Sequence, residues 1–243
     1  MIVGAGTIIN VLAIVFGTII GLFFGKRFKE STRELVTQAM GFIVLIAAAD
    51  AISQFWRSDF QSSFSNGVPI LIILFALAAG GLLGSFLRIE DRLAQIGEAL
   101  KTRFSQGGND LFVEGFLAAS ILFVVGPMAI LGSISDGMGE GIELLVLKST
   151  LDFFMTIAFT ASYGWSVGLS VVPVALYQFA WTGIGFGLGE ILNDIQIVAL
   201  TVVGGTLLVG IALIGLGIKR IAVANLLPAL ILAPLATSIL AIS

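Results

Sequence analysis

An all-α, polytopic transmembrane helix bundle of about eight helices is the fold this sequence predicts. Three observations carry the prediction: charged residues are scarce, apolar runs recur at the length needed to cross a bilayer, and lysine and arginine gather between alternate runs. Only 11% of the 243 residues are charged and 58% are hydrophobic, with a mean hydropathy of +1.10, whereas soluble domains carry roughly 25% charged residues. The 12 basic and 15 acidic side chains cannot coat a soluble domain of this length. The chain is therefore expected as a single integral membrane domain, residues 1–243, whose first partner is the lipid bilayer.

A membrane helix needs about 20 mostly apolar residues. The first run, Ile2 to Gly25, precedes the first charge at Lys26; it is too long for the apolar core of a signal peptide and is expected as a retained helix. The second, Glu34 to Trp56, carries Asp50 within AAADAISQF, and the third, Val68 to Leu87, carries no charge. The fourth, Leu111 to Gly132, holds Glu114 in its first turn, where the helix dipole favours an acid, and Pro127 near its end. The fifth, Gly141 to Tyr163, contains Lys148 and Asp152; the sixth, Ser166 to Leu188, contains Pro173 and Gln178. The seventh, Ile195 to Ile218, is uncharged, and the eighth, Ile221 to Leu240, contains Asn225, Pro228 and Pro234.

Orientation follows from the basic residues. If the segment after the first run is cytoplasmic, ten of the twelve lysines and arginines fall inside and Arg57 is the one outside, in keeping with the positive-inside rule. Both termini are then expected outside. The longest polar segment, Arg88 to Asp110, places Ile89, Leu93, Ile96 and Leu100 at helical spacing and reads as an amphipathic segment on the cytoplasmic surface or a plain linker.

Glycines four residues apart, at Gly17, Gly21 and Gly25, at Gly80 and Gly84, and at Gly183 and Gly187, let helix backbones approach closely in lipid. They are expected as packing seams inside the bundle or at a homodimer interface. None opens a phosphate-binding loop. With no cysteine and no histidine, thiolate nucleophiles, Cys/His zinc sites and histidine proton relays are excluded. No cofactor or metal site is expected, no nucleic-acid partner, and no enzymatic activity.

An ionisable residue within a span costs roughly 2.5 to 3.5 kcal/mol on insertion scales and is a functional candidate by default. Lys148 and Asp152 lie four apart on one helix face beside Ser149, and Thr156 continues that face. They serve either as a structural pair or as an ion or substrate site. Asp50 is the second carboxylate candidate, as a partner for Lys148 or a cation ligand. In VGPMAILGSISDGMGE, Pro127 lacks an amide hydrogen and frees the carbonyl of Phe123, and Gly126 lowers the cost of leaving helical geometry. A break is expected there, with Ser133, Ser135 and Asp136 lining its mouth. Irregular backbone at membrane depth survives only where protein or a water-filled cavity satisfies it. Asn10, Gln178 and Asn225 supply uncharged amides within other spans.

The segments Gly4-Ala5-Gly6-Thr7-Ile8-Ile9-Asn10, GPMAILGSISDG from Gly126, Lys148-Ser149-Thr150-Leu151-Asp152, Tyr177-Gln178 and Asn225-Leu226-Leu227-Pro228-Ala229-Leu230 together resemble the bacterial inner-membrane family known as domain of unknown function 554, the YqgA-like proteins. The resemblance runs the length of the chain. It implies a multi-pass inner-membrane architecture and a transport role with no substrate attached. It also implies a glycine after Leu151-Asp152 and after Tyr177-Gln178, where this chain has Phe153 and Phe179.

The expected function is a transporter or channel for an ion or small polar solute, with its site between the fourth, fifth and sixth spans. The alternative is a non-transporting membrane scaffold or assembly component held by its glycine seams.

Overall fold

The structure is a computed structural model that describes residues 2–25, 29–104, 111–124, 127–139, 141–188 and 192–240. Its regular elements are all helical among the described residues. They are α1 (Ala5–Gly25), α2 (Glu30–Ser53), α3 (Ser58–Ser62), α4 (Val68–Phe86), α5 (Ile89–Phe104), α6 (Phe112–Val124), α7 (Pro127–Met138), α8 (Glu143–Tyr163), α9 (Val171–Leu188), α10 (Asp194–Gly215) and α11 (Ala229–Leu240), with short 3-10 turns at Gln54–Trp56, Trp165–Ser170 and Val223–Leu226.

Among the described residues six helical segments are long and apolar enough to cross a membrane, and the bent pair of α6 and α7 makes a seventh if it is one span. The expected eight becomes six to seven for a physical reason at α2. Its first turns carry Glu30, Arg33 and Glu34, so the apolar part is the shorter stretch Gly41–Trp56. The expected break near Pro127 appears as a 57° bend between Phe112–Val124 and Met128–Met138. Gly126 lies outside the described residues. Pro127 is the first residue of α7, where its missing amide hydrogen costs nothing because that donor has no intrahelical partner anyway.

The chain divides into two units, one of residues 1–40, 93–124 and 128–191 and one of residues 41–92, 125–127 and 192–243. In the first, α1 and α8 lie side by side and parallel. A Cβ on Gly6 would meet Leu145 Cδ1 at 2.6 Å, one on Gly17 would meet Thr156 Cβ at 2.9 Å, and one on Gly21 would meet Thr160 Cβ at 2.7 Å. The register is constant along the whole contact. The opposite face of α1 presents Ile8, Leu12, Phe16, Ile19 and Phe23, all exposed, as a surface for lipid requires. The seam expected at Gly17 and Gly21 therefore lies inside the unit. Its partner at Phe153 is that residue's carbonyl oxygen, 2.8 Å from a Cβ on Gly17, so the glycine of this contact is on α1.

The helix α6 runs antiparallel to α8: Gly115 sits against Tyr163 and Phe123 against Lys148. So does α9 to α1, with Gly168 just before it against Thr18 and Gln178 against Asn10. The helix α7 packs on α8 through Gly132 and Leu145, and on α9 through Ile134 and Gly185.

The second unit is packed by small residues. Gly80 of α4 meets Ala229 at the start of α11, Gly205 of α10 meets Ala51 of α2, and Gly210 meets Val223. Its core is apolar, with Val44, Phe60, Ile72, Ala76, Val203 and Ile211 buried. Gly183 and Gly187, by contrast, face open space.

Candidate functional site

Lys148 and Asp152 form an i,i+4 ion pair with side chains 8% and 10% exposed. The helix α8 has 21 residues, so it is about 31 Å long, and Asp152 stands about 14 Å from its start, near the middle of the span. The face holds because Lys148, Asp152, Thr156 and Thr160 recur every four residues, covering about 18 Å of one helix side. Lys148 Nζ lies 5.8 Å from the centroid of the Phe123 ring, which adds a cation–π contact to the pair. Ser149, beside them, donates to Leu145 O at 2.5 Å, one turn back.

Across the seam stand two amides. Asn10 Nδ2 donates to Gln178 Oε1 at 3.3 Å, both residues are fully buried, and the Asn10 amide lies near the Asp152 carboxylate. The contact leaves Asn10 Oδ1 and Gln178 Nε2 without partners. Asn10, Lys148, Asp152 and Gln178 are thus brought to one place from α1, α8 and α9.

Asp136 has a different surrounding. Its carboxylate accepts Gly4 N at 3.0 Å and Gly6 N at 3.1 Å, capping the start of α1 from a distance of 130 residues in sequence. A carboxylate there is favoured because it satisfies backbone donors that have no intrahelical acceptor and opposes the positive end of the helix dipole. Ser133 donates to Ala129 O at 2.6 Å within its own helix, and Ser135 to Gly141 O at 3.4 Å.

Asp50 and Asn225 belong to the second unit. Asp50 is exposed; the partner of Lys148 is Asp152. Asn225 Oδ1 accepts Glu90 N at 2.9 Å while Glu90 Oε2 accepts Ala224 N at 2.8 Å. The two side chains cap the first turn of α5 and the turn Val223–Leu226 reciprocally. Burial pushes the Glu90 carboxyl above its ordinary range, and the Ala224 N–H opposes that in part.

The polar residues are divided unequally. Of the seventeen buried polar or charged residues among those described, sixteen are in the first unit and Thr237 is the other. Among the described residues eight buried side-chain atoms lack a hydrogen-bond partner, and every one is in the first unit: Thr7 Oγ1, Asn10 Oδ1, Thr156 Oγ1, Thr160 Oγ1, Ser166 Oγ, Ser170 Oγ, Gln178 Nε2 and Thr182 Oγ1. Buried polar groups in folded proteins are almost always satisfied, and leaving one unmade costs about 1–3 kcal/mol. The eight are hydrogen-bonding capacity that the first unit leaves unused. The sequence reading missed Thr7, Thr160, Ser166, Ser170 and Thr182. The available signal was the continuation of the 148, 152, 156 spacing to Thr160.

The chain is similar along nearly its whole length to two curated proteins. It is 30% identical over 233 residues to an uncharacterized membrane protein, YdfK, of Bacillus subtilis (strain 168), covering 94% of this chain and 93% of the relative. It is 25% identical over 232 residues to an uncharacterized protein, YqgA, of Escherichia coli (strain K12), covering 94% of each. No solved structure matches it. These relatives and the fold agree with the family model that matches residues 5–238, and the chain belongs to the family described as "Protein of unknown function (DUF554)".

Proposed function

We propose that this protein is a membrane transporter or channel for an ion or small polar solute, with its path along α1, α8 and α9 past Asn10, Gln178 and the Lys148–Asp152 pair. One observation carries the reading: among the described residues, all eight unsatisfied buried polar atoms lie in one unit, while the other unit is packed by apolar and small residues. A protein that only anchors or scaffolds has no use for such groups, and each weakens the fold. The bent pair α6 and α7 supports the same reading, since interrupted helices at membrane depth accompany polar pathways.

The basic residues support an inner-membrane orientation with both termini outside. Arg57, the one basic residue assigned to the outer side, pairs with Asp59 at 2.5 Å and is locally neutralised. A cysteine at residue 59 that reacts with an impermeant thiol reagent in intact cells, and one at residue 219 that does not, would support that orientation; the reverse would refute it.

The function is tested with purified protein in liposomes, comparing ion currents and solute-driven volume changes with those of protein-free liposomes. Protein-dependent flux of any probe that falls when Gln178 is replaced by leucine supports the reading. Flux identical to bare liposomes for every probe refutes it and leaves the scaffold.

A further inference from the structure

The hydrogen-bonding capacity left over in the first unit has a definite chemical character. The two buried charges within the span consume each other: Lys148 is paired with Asp152 and lies against the Phe123 ring. A bare cation would have to split that pair or bind beside a lysine. A bare anion would meet Asp152. Either would leave a net charge in a medium where an isolated ion is costly. Among the described residues no three carboxylates gather as a metal site requires.

What remains open is uncharged. Gln178 Nε2 offers only donors, Asn10 Oδ1 only acceptors, and the free hydroxyls of threonine and serine offer both. A cation path would be lined mainly by acceptors and an anion path mainly by donors. The unmet groups here are mixed, and along α8 they continue from the ion pair through Thr156 to Thr160 at one-turn intervals. An uncharged solute that both gives and takes hydrogen bonds can replace water at every such point without moving a charge.

Resting on the transport reading above, we infer that the solute is small and uncharged, with hydrogen-bond donors and acceptors of the polyol or amide kind, and that the Lys148–Asp152 pair stays closed as it passes. The pair then serves as a neutral, rigid part of the wall that turns ions away, while Asn10 and Gln178 contact the solute.

The test uses the full-length protein in liposomes, with glycerol and urea as uncharged probes, glycine as a zwitterion, and sodium, potassium and chloride as ions. Reswelling after hyperosmotic mixing is followed by light scattering, and ion movement by current on a solid-supported membrane. The inference expects glycerol or urea to enter at least several-fold faster than into protein-free liposomes, with no ion current. Gln178→Leu should slow that entry about tenfold, the equivalent of one lost hydrogen bond of about 1.4 kcal/mol, and Gln178→Asn should retain part of it. An ion current without glycerol or urea entry overturns the solute class and leaves the transport reading standing. Glycine entry alone also overturns it, because a zwitterion would engage an opened pair. No movement of any probe overturns both.

Discussion

Breaking the Lys148–Asp152 pair from one side only is the perturbation whose cost the structure defines best. Both side chains are at most 10% exposed, so Asp152→Leu leaves a buried ammonium whose remaining neighbour among the contacts above is the Phe123 ring at 5.8 Å. Losing one member of a buried pair costs about 3–5 kcal/mol, and a cation–π contact returns at most about 2 kcal/mol when desolvated. Lys148→Met leaves the carboxylate with the Asn10 amide as its neighbour and should cost a similar amount. The double replacement by methionine and leucine removes both charges and keeps the volume, so it should fall within about 1 kcal/mol of the parent or above it. The coupling between the two sites is then at least about 3 kcal/mol. Reversible unfolding in bicelles, read for the parent, both single variants and the double, gives that coupling directly. If the double is destabilised by the sum of the singles to within about 0.5 kcal/mol, the sites are independent, and the pair as described here is wrong.

Three further outcomes follow from the geometry. Gly17→Ala should destabilise by about 1–3 kcal/mol, because the new methyl would lie 2.8 Å from Phe153 O, while Gly183→Ala, facing open space, should be neutral or gain up to about 1 kcal/mol from helix propensity; thermal unfolding in detergent that ranks them otherwise contradicts the α1–α8 seam. Asp136→Asn keeps one acceptor for two backbone donors and should cost about 1–2 kcal/mol, with faster amide exchange confined to the first turn of α1. Glu90 has its folded pKa raised above the ordinary 4.5 by burial; its favourable share is complete below that ordinary value and is lost as pH rises through the raised one. Glu90→Gln should therefore gain on the parent as pH rises across that window. A difference in melting temperature that stays constant across pH would refute the burial argument.

The spans could be read from the sequence because a bilayer demands length and hydropathy together, and both are local properties. The break before α7 was legible for the same reason: proline at position 127 changes the helix whatever surrounds it. The ion pair was legible because four residues make one turn. The destination of Asp136 was not, because nothing local says that a carboxylate in α7 will cap the first residues of α1. The meeting of Asn10 with Gln178, 168 residues apart, was hidden likewise. The hydroxyls were hidden by ambiguity. A threonine within a span ordinarily bonds back to the carbonyl one turn earlier, as Thr201 and Thr206 do in α10, and only packing shows that Thr156 and Thr160 do not. The second span, expected over Glu34 to Trp56, is apolar only over Gly41–Trp56, because Glu34 and Gln38 carry its helix into a polar region.

If the transport proposal holds, one face of α8 with its neighbours on α1 and α9 meets water or a polar solute within the membrane. The chain has no native cysteine, so single cysteines can be placed at Thr156, Thr160, Thr7 and Thr182, with Leu151 and Ile19, both exposed on the outer surface, as lipid-facing controls. The measurement is the rate of modification of each by a small hydrophilic methanethiosulfonate in liposomes. Rapid modification of the four former threonines and little or none at positions 151 and 19 is the result predicted. Protection of all four, equal to that of the controls, would mean a dry core and would contradict the account.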